Sequence, residues 1–330
     1  MTLTMSQPGR VARPFTMTNT KQIQPAASAA NDPPLAERPK WLTGPVWPHS
    51  GSTIDVNGAA VSYTDVGRGP TLLLVHVGAW SILWRDVIEL LRHHYRCVAF
   101  DAPGCGLSER PAGTLTLAAA ADAIDTLVRS LDLVDITLVV HDLGTVAALH
   151  AASRWPRLIA GLVVINGFGW RPSGLAFRGM LALMGNPLMR ELDASVGWMS
   201  YGSATRFGVA RHWDRATRRA YRRGFRRPHR RACHRYMAAA RRHDYGAVDE
   251  TVRRLADRPV LTIFGKRNDP LRFQPKWKTR FPHATQITVP GGYHFPMCDD
   301  PQLVASTIAR WHTDHILRPA DAAIDGDRQP

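Results

Sequence analysis

Residues 135–155 read DITLVVHDLGTVAALHAASRW, and this stretch decides the fold. Its first seven residues form a short apolar run of the kind found in a buried strand, and from Gly144 the pattern continues in helix-forming Ala and Leu. A strand that becomes a helix with no linker needs a tight corner, which Asp142-Leu143-Gly144 supplies. At such a corner one side chain, here Asp142, is thrust out beyond the carboxyl end of the strand. Asp is also a preferred helix N-cap, so the tripeptide alone leaves two readings open, a cap or a reacting group.

The same alternation recurs on both sides of the corner. From Ser52 come TIDVNG, AAVSYTDVGRGP and TLLLVHV, with Asn57-Gly58 marking a hairpin turn. Ile82, Leu83, Val87, Leu90 and Leu91 then recur at helical spacing to about Tyr95. RCVAFD, the turn APGCGLS and the helix LAAAADAIDTLVRSL complete the upstream half. Downstream lies GLVVING, and RPVLTIFG and ATQITVP return after Asp257. Strands alternating with helices predict an α/β protein with a mostly parallel central sheet flanked by helices. Residues 167–253 show helical but no strand character and are expected to form an inserted, Arg-rich helical cap. The expected domains are therefore a core of 46–166 and 254–317, that cap, an N-terminal disordered tail over 1–45 and a loose C-terminal tail over 318–330.

Composition narrows the function. The 330 residues are 45% hydrophobic, enough for a substantial core, and the longest apolar runs are strand-sized. Stable membrane insertion is not expected, since a span needs roughly 20 apolar residues. The first forty residues also lack the apolar stretch of a secretory signal. Cys97, Cys105, Cys233 and Cys298 are widely spaced with no CxxC pair, which suggests neither zinc nor a disulfide framework and fits a reducing cytoplasm. The net charge of +15 is concentrated: residues 206–243 hold fourteen Arg and one acid, Asp214. Without regularly spaced aromatics or a nucleic-acid motif, this reads as a solvated helical face and no nucleic-acid partner is expected. GRGP at Gly67 is too short for a phosphate loop, so no metal or organic cofactor is expected.

Two further strand ends resolve the ambiguity at Asp142. VLTIFG leads into Lys266-Arg267-Asn268-Asp269-Pro270, and QITVPGG leads into Tyr293-His294-Phe295-Pro296. Nucleophile, acid and base in that chain order, each after a strand, form a recognisable catalytic unit of Asp142, Asp269 and His294. The backbone N–H groups of Leu143 and Val77 are the expected oxyanion hole.

Trp84-Arg85, FDAPGCGLS (100–108), VVHDLG (139–144) and GGYHF (291–295) resemble the haloalkane dehalogenase and epoxide hydrolase branch of the α/β-hydrolase fold, over roughly Ser52 to Trp311. The resemblance implies an Asp nucleophile. It is incomplete: His76-Val77-Gly78-Ala79 stands where that branch has His-Gly-x-Pro, and Gly78 and Leu143 replace the Asn and Trp that bind halide in dehalogenases.

A carboxylate nucleophile is suited to saturated carbon and gives an alkyl ester of the enzyme. The expected partner is therefore a small hydrophobic molecule with an electrophilic carbon. With the halide donors missing, epoxide opening leads and dehalogenation is second. Lactone or other ring opening, or ligand binding without turnover, remains on the same fold. By resemblance, epoxide opening needs cap tyrosines as proton donors. The candidate donors or substrate contacts are Tyr201, Tyr221, Tyr236, Trp170 and Trp198. The oligomeric state is left open.

Overall fold

The computed structural model describes residues 39–317; of the expected tails over 1–45 and 318–330, residues 1–38 and all of 318–330 lie outside the described residues. Among the described residues, eight strands form one sheet: β1 (Ser52–Val56), β2 (Ala59–Val66), β3 (Thr71–His76), β4 (Arg96–Phe100), β5 (Ile136–His141), β6 (Ile159–Ile165), β7 (Val260–Gly265) and β8 (Thr285–Val289). Their order across the sheet is β1-β2-β4-β3-β5-β6-β7-β8. β1 pairs with β2, and β2 with β4, antiparallel; every other pairing is parallel. All eight strands coincide with the apolar runs read from the sequence.

The central strands show why those runs do not alternate with polar residues. Every residue of β3, β5 and β7 is buried, because helices cover both faces of the sheet. Each fully buried Val, Leu or Ile there contributes roughly 1.5–3 kcal/mol of transfer free energy. Helices α1 (Arg85–Leu91), α2 (Leu117–Ser130) and α3 (Leu143–Ala152) connect the first half of the sheet. α2 shows the periodicity well: Thr116 caps its first turn by accepting from the Ala119 N–H at 3.0 Å, and Leu117, Ala120, Ala121, Ile124, Leu127 and Val128 are buried.

Between β6 and β7 the chain is helical throughout: α4 (Leu175–Met184), α5 (Pro187–Val196), α6 (Trp198–Ser203), α7 (Arg215–Gly224), α8 (Arg227–Ala240) and α9 (Gly246–Arg254). Two expected boundaries move. Leu42, Val46 and Trp47 are buried, so the core begins before residue 46. α9 belongs with the helices on the sheet: Thr251 Oγ1 donates to the Leu149 carbonyl of α3 at 2.8 Å and Val248 is fully buried, so the segment over the site ends with α8. After β7 come α10 (Phe273–Arg280), β8, α11 (Pro296–Asp299) and α12 (Pro301–His312). Among the described residues no helix is long and apolar enough to cross a membrane, and all four cysteines are free and buried.

The Arg-rich segment divides its residues by face. On α7, Arg215, Arg218, Arg219, Arg222 and Arg223 are exposed, while Thr217, Ala220 and Tyr221 are buried. Ala216, whose spacing suggests the inner face, is exposed. Charge reversal at Arg215 and Arg222 is therefore expected to leave kcat/KM for a neutral substrate within about threefold, below ~1 kcal/mol in the barrier. A tenfold loss in a folded double variant would place these arginines in the site.

Candidate active site

The end of β5 delivers Asp142 in a backbone conformation that side chains rarely adopt, φ 49° and ψ −128°. Gly144 makes this corner possible: a Cβ there would lie 2.7 Å from the Val75 carbonyl oxygen and 2.8 Å from the His76 Cα, so α3 and β3 pass too closely for any other residue. Asp142 occupies the N-cap position of α3, yet its side chain makes no capping hydrogen bond. A strained residue that does not spend its side chain on capping points to function.

His294, in the loop between β8 and α11, places Nε2 3.6 Å from Asp142 Oδ2. Burial raises the Asp142 pKa, but the His294 and His141 rings and the Leu143 N–H outweigh it, and the carboxyl is held below its ordinary range. It is therefore a carboxylate at neutral pH.

The residue beside the expected base is the neighbour of the expected acid. Asn268 Nδ2 lies 3.2 Å from His294 Nδ1, whereas the Asp269 carboxylate accepts the backbone N–H groups of Phe273 at 2.5 Å and Gln274 at 3.0 Å. Asp269 thus holds the first turn of α10, and Asn268 meets the base. Burial is the largest influence on Asp269 and its pKa is raised despite the two N–H groups. If His294 acts as a base with a bare Nε2, its proton is on Nδ1, and Asn268 would serve it with its amide oxygen turned toward the ring. Sequence reading passed over Asn268 because an acid stands beside it. Asn268→Ala is expected to lower kcat at least ~10-fold by loosening the base tautomer. Asp269→Asn is expected to cost about 1 kcal/mol of stability with a smaller loss of kcat. Comparing kcat and melting curves checks this; a larger kcat loss in Asp269→Asn would restore Asp269 as the orienting group.

A cavity of about 290 Å³ opens over Asp142 and His294. Its floor includes His76, Val77 and Gly78 from the end of β3, and its roof comes from α6, α7 and α8. On α8, His229, Ala232, Cys233, Tyr236 and Ala240 are buried at helical spacing, and the same face presents Cys233 and Met237 to the cavity. A second cavity of about 150 Å³, lined by Asn166, Asn268 and Asp269 among others, meets the same Asp142 and His294.

Of the five expected cap contacts, Tyr221 and Trp198 line the main cavity. Tyr201 is 59% exposed beneath the Arg222 guanidinium, and Tyr236 is fully buried, donating to the Pro103 carbonyl at 2.9 Å. Trp170 packs against Phe273 and Trp277, away from either cavity. Tyr221 is held by Ser203: the two hydroxyl oxygens are 3.0 Å apart, and Ser203 gives its single proton to the Met199 carbonyl at 2.5 Å. Tyr221 is therefore the donor in that pair. Burial raises its pKa, so it stays a phenol. Ser203, Cys233 and Met237 were not singled out in the sequence, since periodicity gives a helix face but not what the face covers.

Comparison with known proteins bears on the family and the fold. The family model described as the alpha/beta hydrolase family matches residues 72–307. Haloalkane dehalogenase 2 of Mycobacterium tuberculosis is 28% identical over 275 residues, covering 80% of this chain and 95% of the relative. A cis-3-alkyl-4-alkyloxetan-2-one decarboxylase of Shewanella oneidensis is 35% identical over 115 residues, 33% of this chain and 36% of the relative. Among solved structures, haloalkane dehalogenase DbeA from Bradyrhizobium elkani superposes with a TM-score of 0.66 at 22% identity, over 80% of this chain and 98% of that one, which bears on the fold alone. Since the family match extends over most of the chain and takes in the strained corner at Asp142, the protein belongs to the α/β-hydrolase family and is a hydrolase.

Proposed function

We propose that this hydrolase opens a strained oxygen ring, most simply an epoxide, on a small hydrophobic substrate through an Asp142 ester. The observation that carries this reading is the pairing, in one apolar cavity, of the Asp142 carboxylate with the Tyr221 hydroxyl, while Leu143 and Gly78 offer no side-chain donor for a halide. A carboxylate oxygen attacks a ring carbon, the ring C–O bond breaks, and the oxygen that leaves takes the Tyr221 proton, the hydroxyl turning from Ser203 Oγ to the substrate oxygen as it does so. A phenol held neutral by burial suits this step, because a phenolate is still a weaker base than the alkoxide it protonates. His294 then takes a proton from water, which adds to the ester carbonyl carbon. The backbone N–H groups of Leu143 and Val77 stabilise the resulting oxyanion. Collapse releases the diol and restores the carboxylate; a proton returns to Tyr221, and one water is consumed. Asp269 supports the loop that carries Asn268, which orients the base. The helices from α4 to α8 act as the cap. Four free cysteines support a reducing cytoplasm as the enzyme's compartment.

Dehalogenation is the second reading. Trp198 lines the cavity, and its indole N–H is a donor of the type a halide needs. The sequence relative named a haloalkane dehalogenase matches most of this chain. The relative named an oxetanone decarboxylase makes a four-membered lactone a further substrate to try. The test is a panel of aliphatic and aromatic epoxides, chloro- and bromoalkanes and alkyl-substituted β-lactones, followed by chromatography and halide release. Diol formation with little halide is expected. Halide release at enzymatic rates with inert epoxides would overturn the lead and make Trp198 the donor to mutate. Inertness to all three classes would overturn the ring-opening proposal.

A further inference from the structure

Two histidines beneath the cavity play no part in the proposed steps. His76 ends β3 and His141 ends β5, and the parallel register places them side by side. His141 is fully buried, and His76 is 5% exposed and lines the cavity. His141 Nε2 lies 2.7 Å from the His294 carbonyl oxygen, and its Nδ1 lies 2.8 Å from His76 Nδ1.

These contacts fix where the protons are. A carbonyl oxygen only accepts, so His141 donates from Nε2. Burial, reinforced by the neighbouring His76 and His294 rings, holds the His141 pKa well below its ordinary value, so the ring is neutral and its Nδ1 is bare. Only His76 can then supply the hydrogen between the two Nδ1 atoms. Burial, with repulsion from His294, lowers the His76 pKa to about 3, so this ring too is neutral. Its one proton is on Nδ1, and Nε2 keeps a lone pair. Among the described residues no protein donor meets that nitrogen. It also differs from the enclosed, unpartnered nitrogens such as His229 Nε2, because it is not sealed off by surrounding atoms.

From this geometry we infer that His76 Nε2 is a fixed hydrogen-bond acceptor for a hydroxyl on the substrate, so the preferred substrate is an otherwise apolar epoxide with a hydroxyl close to the ring. The choice of ring rests on the function proposed above, whereas the acceptor itself does not. The rest of the cavity is largely side chains such as Met199, Phe225, Met237 and Phe295, which suit an alkyl or aryl chain. An acceptor that cannot donate would favour the alcohol over the matching ether or unsubstituted epoxide, since only the alcohol pairs the buried lone pair. The two rings are held by the sheet, and Phe295 packs on the His141 ring at 5.2 Å between centroids, so the acceptor is already in place before substrate arrives.

The test compares a long-chain epoxy alcohol with the same epoxide lacking the hydroxyl, in the wild type and in His76→Asn and His76→Gln. An Asn amide at this position mimics Nδ1 and can keep the donor to His141, but it has nothing at the Nε2 position. A Gln amide reaches that position with an oxygen. Expected is a wild-type preference for the alcohol in kcat/KM of about tenfold or more, lost in His76→Asn and partly restored in His76→Gln. A purely structural His76 would slow both substrates together and leave their ratio unchanged, which would overturn the inference. Nitrogen-15 NMR of histidine-labelled wild type reads the tautomer without turnover. His76 is expected to show Nδ1 protonated and Nε2 bare, with the Nε2 resonance moving when a long-chain vicinal diol is added. An Nε2-protonated His76, or an Nε2 resonance indifferent to the diol, overturns the inference even if epoxides are opened. The expected NMR result alongside inert epoxides would instead reject the ring chemistry and keep the acceptor.

Discussion

Asp142→Ala is expected to lower kcat/KM by at least roughly three orders of magnitude while the protein stays folded. The argument that activity is lost is chemical. Without the carboxylate no ester forms, and the remaining groups, Tyr221, His294 and two backbone N–H groups, can polarise a ring but have no positioned nucleophile. The argument that the fold survives is structural. Asp142 makes no side-chain cap to α3, its side chain is 25% exposed to the cavity, and its partner His294 lies at 3.6 Å, beyond a normal hydrogen bond. Truncation therefore removes no capping hydrogen bond of α3, although the Leu143 N–H loses its interaction with the carboxylate. The backbone at φ 49° remains costly for Ala, so Asp142→Gly should be the more stable of the two, by about 1 kcal/mol. Circular dichroism and melting curves separate the two effects. Wild-type-like turnover in a folded Asp142→Ala protein would end the Asp-ester proposal, and collapse of the fold would mean that the carboxylate is structural after all.

How much of this could be read before any coordinates depends on which interactions are local. The central strands were legible because burial on both faces leaves an unbroken apolar run, and the outer strands β1 and β8, only partly buried, because each of their short runs is closed by Gly, Pro, Asn or Asp. The corner at Asp142 was legible for the same reason, as Gly144 is demanded by backbone approach and not by what lies above the site. The base was legible as a His at a strand end. What failed was resolution of one residue or one face. Asn268 and Asp269 are adjacent on the loop after β7, and only the start of α10 determines that Asp269 turns back to its N–H groups. Tyr221 and Tyr236 are both buried on helices of the same segment, yet one meets the cavity and the other the Pro103 carbonyl, since periodicity defines the inward side but not the element opposite. The pairing of His76 with His141 needed the strand order, which puts β3 beside β5 although β4 comes between them in the chain.

His294→Gln is expected to stop the cycle after the first step, so that an ester on Asp142 accumulates to nearly one equivalent. Displacement at the ring carbon requires the carboxylate and a proton donor, neither of which is His294. Addition of water to the ester requires a base, and the Gln amide is not one. The adduct mass then identifies the chemistry. Ring opening adds the whole substrate, since the ring oxygen stays attached as a hydroxyl. Displacement of a halide adds the substrate less one hydrogen halide relative to the neutral carboxyl form, since the carboxylate expels the halide as its anion. Peptide mapping should locate the added mass on the segment containing Asp142, and it should be absent from the Asp142→Ala, His294→Gln double variant. In wild type, a single turnover in heavy-oxygen water should leave the label in the Asp142 carboxylate, because water attacks the carboxyl carbon and not the alkyl carbon. Label found only in the diol would mean that water attacks the substrate directly, with Asp142 acting as a base and not a nucleophile. An adduct of intact-substrate mass on Asp142 that persists without His294 is the result that the cavity, the raised Tyr221 pKa and the lowered Asp142 pKa together lead us to expect.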